Sequence, residues 1–138
     1  MIVNVMLWVI LAIFLVATSL IPGIAPAQIE NVDTTARLFQ YIIGSIWLAF
    51  LVYSLYCSYR ESLVKTVRRM ASWHWGRQIG LDLYLGLLMF CGLIFLVEGN
   101  VWIALVWLVP TLIYGNLVPL FYAFTRLPVI VMAFQQGT

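Results

Sequence analysis

The 138 residues are 64% hydrophobic and only 9% charged, with a mean hydropathy of +1.06. A soluble domain carries about 25% charged residues, so this composition excludes a water-covered globule, and a net charge of +2 is too small to point to a nucleic-acid partner. Long unbroken apolar runs, in place of alternating polarity, set aside a transmembrane β-barrel.

Crossing a hydrocarbon core takes roughly 20 apolar residues, and the chain has room for about four such spans and no separate soluble domain. The first covers residues 2–20, with Asn4 its one strongly polar side chain, and Pro22, Gly23 and Pro26 end it. Ala25-Pro26-Ala27 has the form of a signal-peptidase site. Against cleavage, no Lys or Arg precedes the apolar run, and the run exceeds the usual length, so the segment is read as a retained span.

A polar stretch from Gln28 to Arg37 follows, with Asp33 or Thr34 placed to cap the second span, residues 38–58. Tyr53, Tyr56 and Tyr59 gather at its far end, as interfacial aromatics do. Next comes the basic stretch, which holds Arg60, Lys65, Arg68, Arg69 and Arg77, five of the seven cations. Leu63, Val67 and Met70 recur at helical spacing while Lys65, Arg68 and Arg69 fall elsewhere. This predicts a short amphipathic helix over residues 62–73, lying among lipid headgroups.

The third span covers residues 79–97, Glu98-Gly99-Asn100 makes a tight turn, and the fourth covers residues 101–125, with Pro110 and Pro119 inside it. Arg126 and Pro128 close it, and a largely apolar tail follows. The positive-inside rule puts both the basic stretch and Arg126 in the cytoplasm. Both termini are then cytoplasmic, and the Glu98 turn faces outward as a solvated loop.

Few residues can carry chemistry. One histidine allows no bis-histidine site, and Cys57 and Cys91 lie at different depths, so they are read as small packing residues and not as a disulfide. Asp82 is the most informative side chain, because an ionisable group within a span faces protein or water. A hairpin centred near Gly99 brings Asp82 level with Asn116. Pro119 frees the Gly115 carbonyl, and Gly115, Pro119 and Ala123 would form a small-residue stripe. A polar cluster of Asp82, Asn116 and Gly115, with Tyr84 or Tyr114, is therefore expected, either as packing glue or as an ion, proton or ligand site. His74, between Trp73 and Trp75, is expected among headgroups; the alternative is contact with a pigment, haem or quinone held by a partner. No metal site and no cofactor is identifiable.

At Leu81-Asp82-Leu83-Tyr84-Leu85-Gly86, Glu98 and Tyr114-Gly115-Asn116 the chain resembles a group of uncharacterised small multi-pass bacterial membrane proteins. These share an Asp-x-Tyr-x-Gly helix, a Glu at the next turn and a Gly-Asn in the following helix. The resemblance covers about the C-terminal half. It implies a bacterial inner-membrane setting and brings no activity.

The expectation is thus an all-α integral membrane bundle of about four transmembrane helices, with a short cytoplasmic amphipathic helix between the second and third. For function, a non-catalytic accessory or assembly subunit of a larger membrane complex leads, one that contacts other subunits or itself. The alternative is a small homo-oligomeric transporter or channel with a polar site at Asp82 and Asn116. An enzyme is less favoured, because no acid–base pair is evident.

Overall fold

The computed structural model describes residues 2–22, 24–25 and 34–136, with side chains described through residue 131. Ala27, and with it most of the Ala25-Pro26-Ala27 motif, and the capping role of Asp33 lie outside the described residues. The helices are α1 (Ile2–Leu20), α2 (Thr34–Arg60), α3 (Leu63–Ala71), α4 (His74–Glu98), α5 (Val101–Tyr114) and α6 (Leu117–Gln136), with no strand among the described residues. Three of them, α1, α2 and α4, are long and apolar enough to cross a membrane, while α5 and the Leu117–Val131 part of α6 are shorter apolar helices.

The count therefore differs from the four expected spans. Residues 101–125 do not form one helix, because the chain breaks at Gly115, whose φ of 57° and ψ of −137° suit only a residue without Cβ. Pro119 then sits in the first turn of a new helix, where a missing N–H leaves no intrahelical bond unmade. It opens α6 and does not kink a longer span. The small-residue stripe of Gly115, Pro119 and Ala123 accordingly does not form on one helix.

Beyond the break, α6 folds back along α5. The Trp107 and Tyr122 rings meet edge to face at 5.0 Å, and Arg126 Nη1 lies 2.8 Å from Glu98 Oε1. Arg126 is thus at the Glu98 end of the bundle, where the sequence reading placed it at the opposite end. With it goes one of the two supports for the expected orientation. The start of α1, where Asn4 bonds to the Ser58 and Glu61 carbonyls, and Arg126 of α6 lie at opposite ends of the bundle, unlike the expected arrangement.

Other boundaries shift less. Helix α3 falls within the expected 62–73, and α4 starts at His74, absorbing residues assigned to the interfacial stretch. The apolar tail after Arg126 continues α6 as far as Gln136. Gly99, left-handed at φ 63°, ends α4, and the Asn100 side chain accepts from the Trp102 amide at 2.8 Å to start α5.

Helix α4 packs along α5, and α2 packs along α6. At Gly44 the α2 backbone approaches α6 so closely that a Cβ would come within 2.7 Å of the Phe124 ring. The buried centre is Leu11, Ile94, Ala104, Trp107, Leu117, Val118 and Tyr122. Phe14 meets Trp107 at 5.3 Å and Phe90 meets Tyr122 at 5.9 Å, both edge to face, each such pair worth about 0.5–1.5 kcal/mol. Interdigitated aromatics suit helices in a hydrocarbon solvent, where dispersion and interhelical hydrogen bonds, not water exclusion, hold helices together.

Candidate functional site

Helix lengths create the principal cavity. Helices α2 and α4 have 27 and 25 residues, about 40 and 37 Å at 1.5 Å per residue, whereas α5 has 14, about 21 Å. All begin or end near Glu98, so the α5–α6 tip at Gly115-Asn116 stops well short of the end where α3 lies. The space above the tip, walled by the start of α1, the far half of α2, α3 and α4, is a cavity of about 740 Å³. That volume falls within the range of about 300–1,000 Å³ usual for small-molecule sites.

Its walls grade from apolar to polar. At the floor, Leu87, Leu112, Ile113, Tyr114 and Leu117 surround the tip; Phe50, Tyr53, Ser54 and Cys57 line the α2 wall; Leu63 and Val67 of α3 close over it. The rim carries Asn4, Ser58, Arg60, Glu61 and Thr66, and a further recess of about 200 Å³ opens there beside Ser62.

Several wall residues are held in place by hydrogen bonds. Asn4 Nδ2 donates to the carbonyls of Ser58 at 2.9 Å and Glu61 at 3.1 Å, groups that the end of α2 leaves without helical partners. Trp8 Nε1 donates to Ser58 Oγ at 2.9 Å, Tyr84 donates to the Leu112 carbonyl at 3.2 Å near the end of α5, and Tyr114 donates to the Leu7 carbonyl at 2.7 Å. The Thr66 hydroxyl donates to Glu61 Oε2 at 3.1 Å, tying α3 to the α2–α3 corner.

The sequence-derived residues divide around this cavity. Tyr84, Tyr114, Gly115 and Asn116 line it, and the Tyr84–Leu112 contact fits the hairpin register that motivated them. Asp82 does not line it. It is exposed on α4 and makes no hydrogen bond with Asn116, because the chain turns away at Gly115 before Asn116 can face α4. Lys65, Arg68 and Arg69 are exposed on α3, with Leu63 and Val67 on its cavity side. Trp73, His74 and Trp75 are exposed at the α3–α4 corner, where Arg77 Nη2 lies 2.9 Å from His74 Nδ1 and Arg69 lies over the Trp73 ring. Cys57 is exposed, Cys91 is buried, and both are free thiols. Among the described residues no three His, Cys, Asp or Glu side chains gather.

At the opposite end of the bundle stands a network the sequence did not disclose. The Glu98 and Arg126 side chains are buried against each other, Tyr122 donates to Glu98 Oε1 at 2.9 Å, and Arg126 Nη2 donates to the Ile24 carbonyl. Glu98 is therefore not the solvated turn residue expected. An acid at one turn and an arginine two-thirds along the next hairpin were the available signal, and only the break at Gly115 brings them together. The network joins the residues after α1, the end of α4 and the middle of α6, far from the cavity.

Comparisons with protein-family models, with curated proteins and with solved structures found no match.

Proposed function

We propose that this chain is a non-catalytic multi-pass membrane protein, with α1, α2 and α4 as its long spans, the shorter α5 and α6 paired among them and α3 interfacial, that binds an amphiphilic small molecule in the cavity beneath α3. The observation that carries the proposal is the open-sided cavity of about 740 Å³, graded from an apolar floor at the α5–α6 tip to a polar rim at Asn4, Arg60 and Glu61. An apolar tail matches the floor and a polar head matches the rim. Below the floor, Ile94, Trp107, Val118 and Tyr122 are fully packed. A bound molecule therefore has a closed end, which favours holding a ligand over conducting a solute through one chain.

The setting follows from charge. Arg60, Lys65, Arg68, Arg69 and Arg77 lie at the α3 end, and Arg126, the cation of α6, is neutralised by Glu98. The positive-inside rule then puts the α3 end in the cytoplasm of an inner membrane. An accessory subunit of a larger complex remains the wider role, with the cavity as its means of holding or presenting a lipid-like molecule to a partner.

Cys57 on the cavity wall is a built-in reporter. Its alkylation by a maleimide should slow when a single-chain amphiphile occupies the site, and Ser54→Trp should block that protection while leaving the helical circular dichroism unchanged. Protein that neither retains an amphiphile through mild-detergent purification, by native mass spectrometry, nor shows protection of Cys57 by any added one would overturn the proposal.

A further inference from the structure

Resting on that reading of the cavity, we infer that its occupant is an acidic membrane lipid, whose anionic headgroup is held by Arg60 at the rim while one acyl chain reaches down to Gly115. Three observations converge on the rim. Several polar groups there are already engaged. Both Asn4 bonds go to carbonyls at the end of α2 and the corner after it, the Ser58 hydroxyl accepts from Trp8, and Glu61 Oε2 accepts from Thr66. Arg60 lines the cavity and makes no ion pair; the one ion pair among the described residues is Glu98–Arg126. Its guanidinium is the cationic rim group, with donors to spare in a planar fork that matches phosphate or carboxylate oxygens.

The charge of this end of the bundle has the same sign overall. Arg60, Lys65, Arg68, Arg69 and Arg77 stand there against Glu61 and Asp82; Arg60 and Glu61 are the charged residues of the cavity lining, and Lys65, Arg68 and Arg69 are exposed on α3. A net positive surface draws anions towards the cavity mouth. The depth is also matched: the floor is apolar and closed, so the charge of the occupant must stay at the rim and its tail must go inward. An acidic lipid of the surrounding leaflet meets each condition, and a free anion meets only the first two.

The test uses the full chain in neutral detergent, with Cys57 alkylation as the readout and three matched probes: palmitoyl lysophosphatidylglycerol, palmitoyl lysophosphatidylcholine and inorganic phosphate. The anionic lipid should protect Cys57 at concentrations roughly tenfold lower than the zwitterionic one, the preference expected for one charge-assisted contact. Phosphate alone should not protect. Arg60→Gln should weaken the anionic lipid about five- to tenfold, leave the zwitterionic one unchanged and preserve the melting temperature, while Lys65→Gln should change neither lipid by more than about twofold. Equal protection by both lipids, or a preference that survives Arg60→Gln, would overturn the headgroup assignment while leaving the cavity reading intact. Protection by phosphate alone would overturn the lipid as its source. Protection by none of the probes would remove the cavity reading itself.

Discussion

At the scale of single residues, the Glu98–Arg126 pair is the most consequential contact outside the cavity. Two charges are buried together at 2.8 Å, with Tyr122 and the Ile24 carbonyl as further partners, and Arg126 Nε is buried without one. Removing one partner strands the other without compensation. Glu98→Gln or Arg126→Met should therefore destabilise the protein by about 3–5 kcal/mol, whereas the double substitution should cost much less than the sum. Thermal or denaturant unfolding in detergent checks this, and additive losses would show that the two charges do not depend on each other. Tyr122→Phe, losing one hydrogen bond, should cost about 1–3 kcal/mol. Reading Glu98 as a turn residue was correct about the turn and mistaken about its surroundings. Burial depends on a residue that lies far along the chain, and local polarity carries no information about it.

At the scale of helices, the α2–α6 contact shows how proline is accommodated within α6. Pro128 has no N–H to offer the Phe124 carbonyl, and Gln40 Nε2 donates to that oxygen at 2.9 Å instead. Gln40→Leu should cost about 1 kcal/mol in the native background and close to nothing beside Pro128→Ala, where the helix can supply its own donor. A double-mutant cycle on unfolding measures the difference, and an unchanged cost beside Pro128→Ala would break the link. Apolar runs revealed α1, α2 and α4 with small boundary errors, and the 63–71 helix was legible from its spacing. The run after Asn100 was legible as apolar but not as two helices, because its length suits one span and hydropathy is blind to a reversal inside hydrocarbon. The backbone signal was Gly115-Asn116 followed by Pro119, a break and then a residue suited to a first turn. Spacing alone also fits these residues to a small-residue stripe on one continuous helix, so it does not distinguish a stripe from a break.

At the scale of the whole molecule, the reversal at Gly115 returns α6 to the Glu98 end of the bundle, away from the start of α1. Reporters fused ahead of α1 and behind α6 should therefore register opposite sides of the membrane, with the α1 reporter on the side of α3. Both on one side would refute the reversal of the chain at Gly115. The cavity could not be foreseen in the sequence. It arises from a difference in length between α5 and its neighbours, and neither helix end was visible until the break at Gly115 was known. Tyr84, Tyr114, Gly115 and Asn116 were found for another reason, as companions of Asp82, and they proved to lie on its wall. The arginine of α6 also bears on how the protein is made. A helix with a buried cation enters a bilayer poorly by itself, and its neutralising carboxylate is synthesised ahead of it, at the end of α4. The acid thus reaches the bilayer before the base, and α6 meets a counter-charge already in place when it arrives.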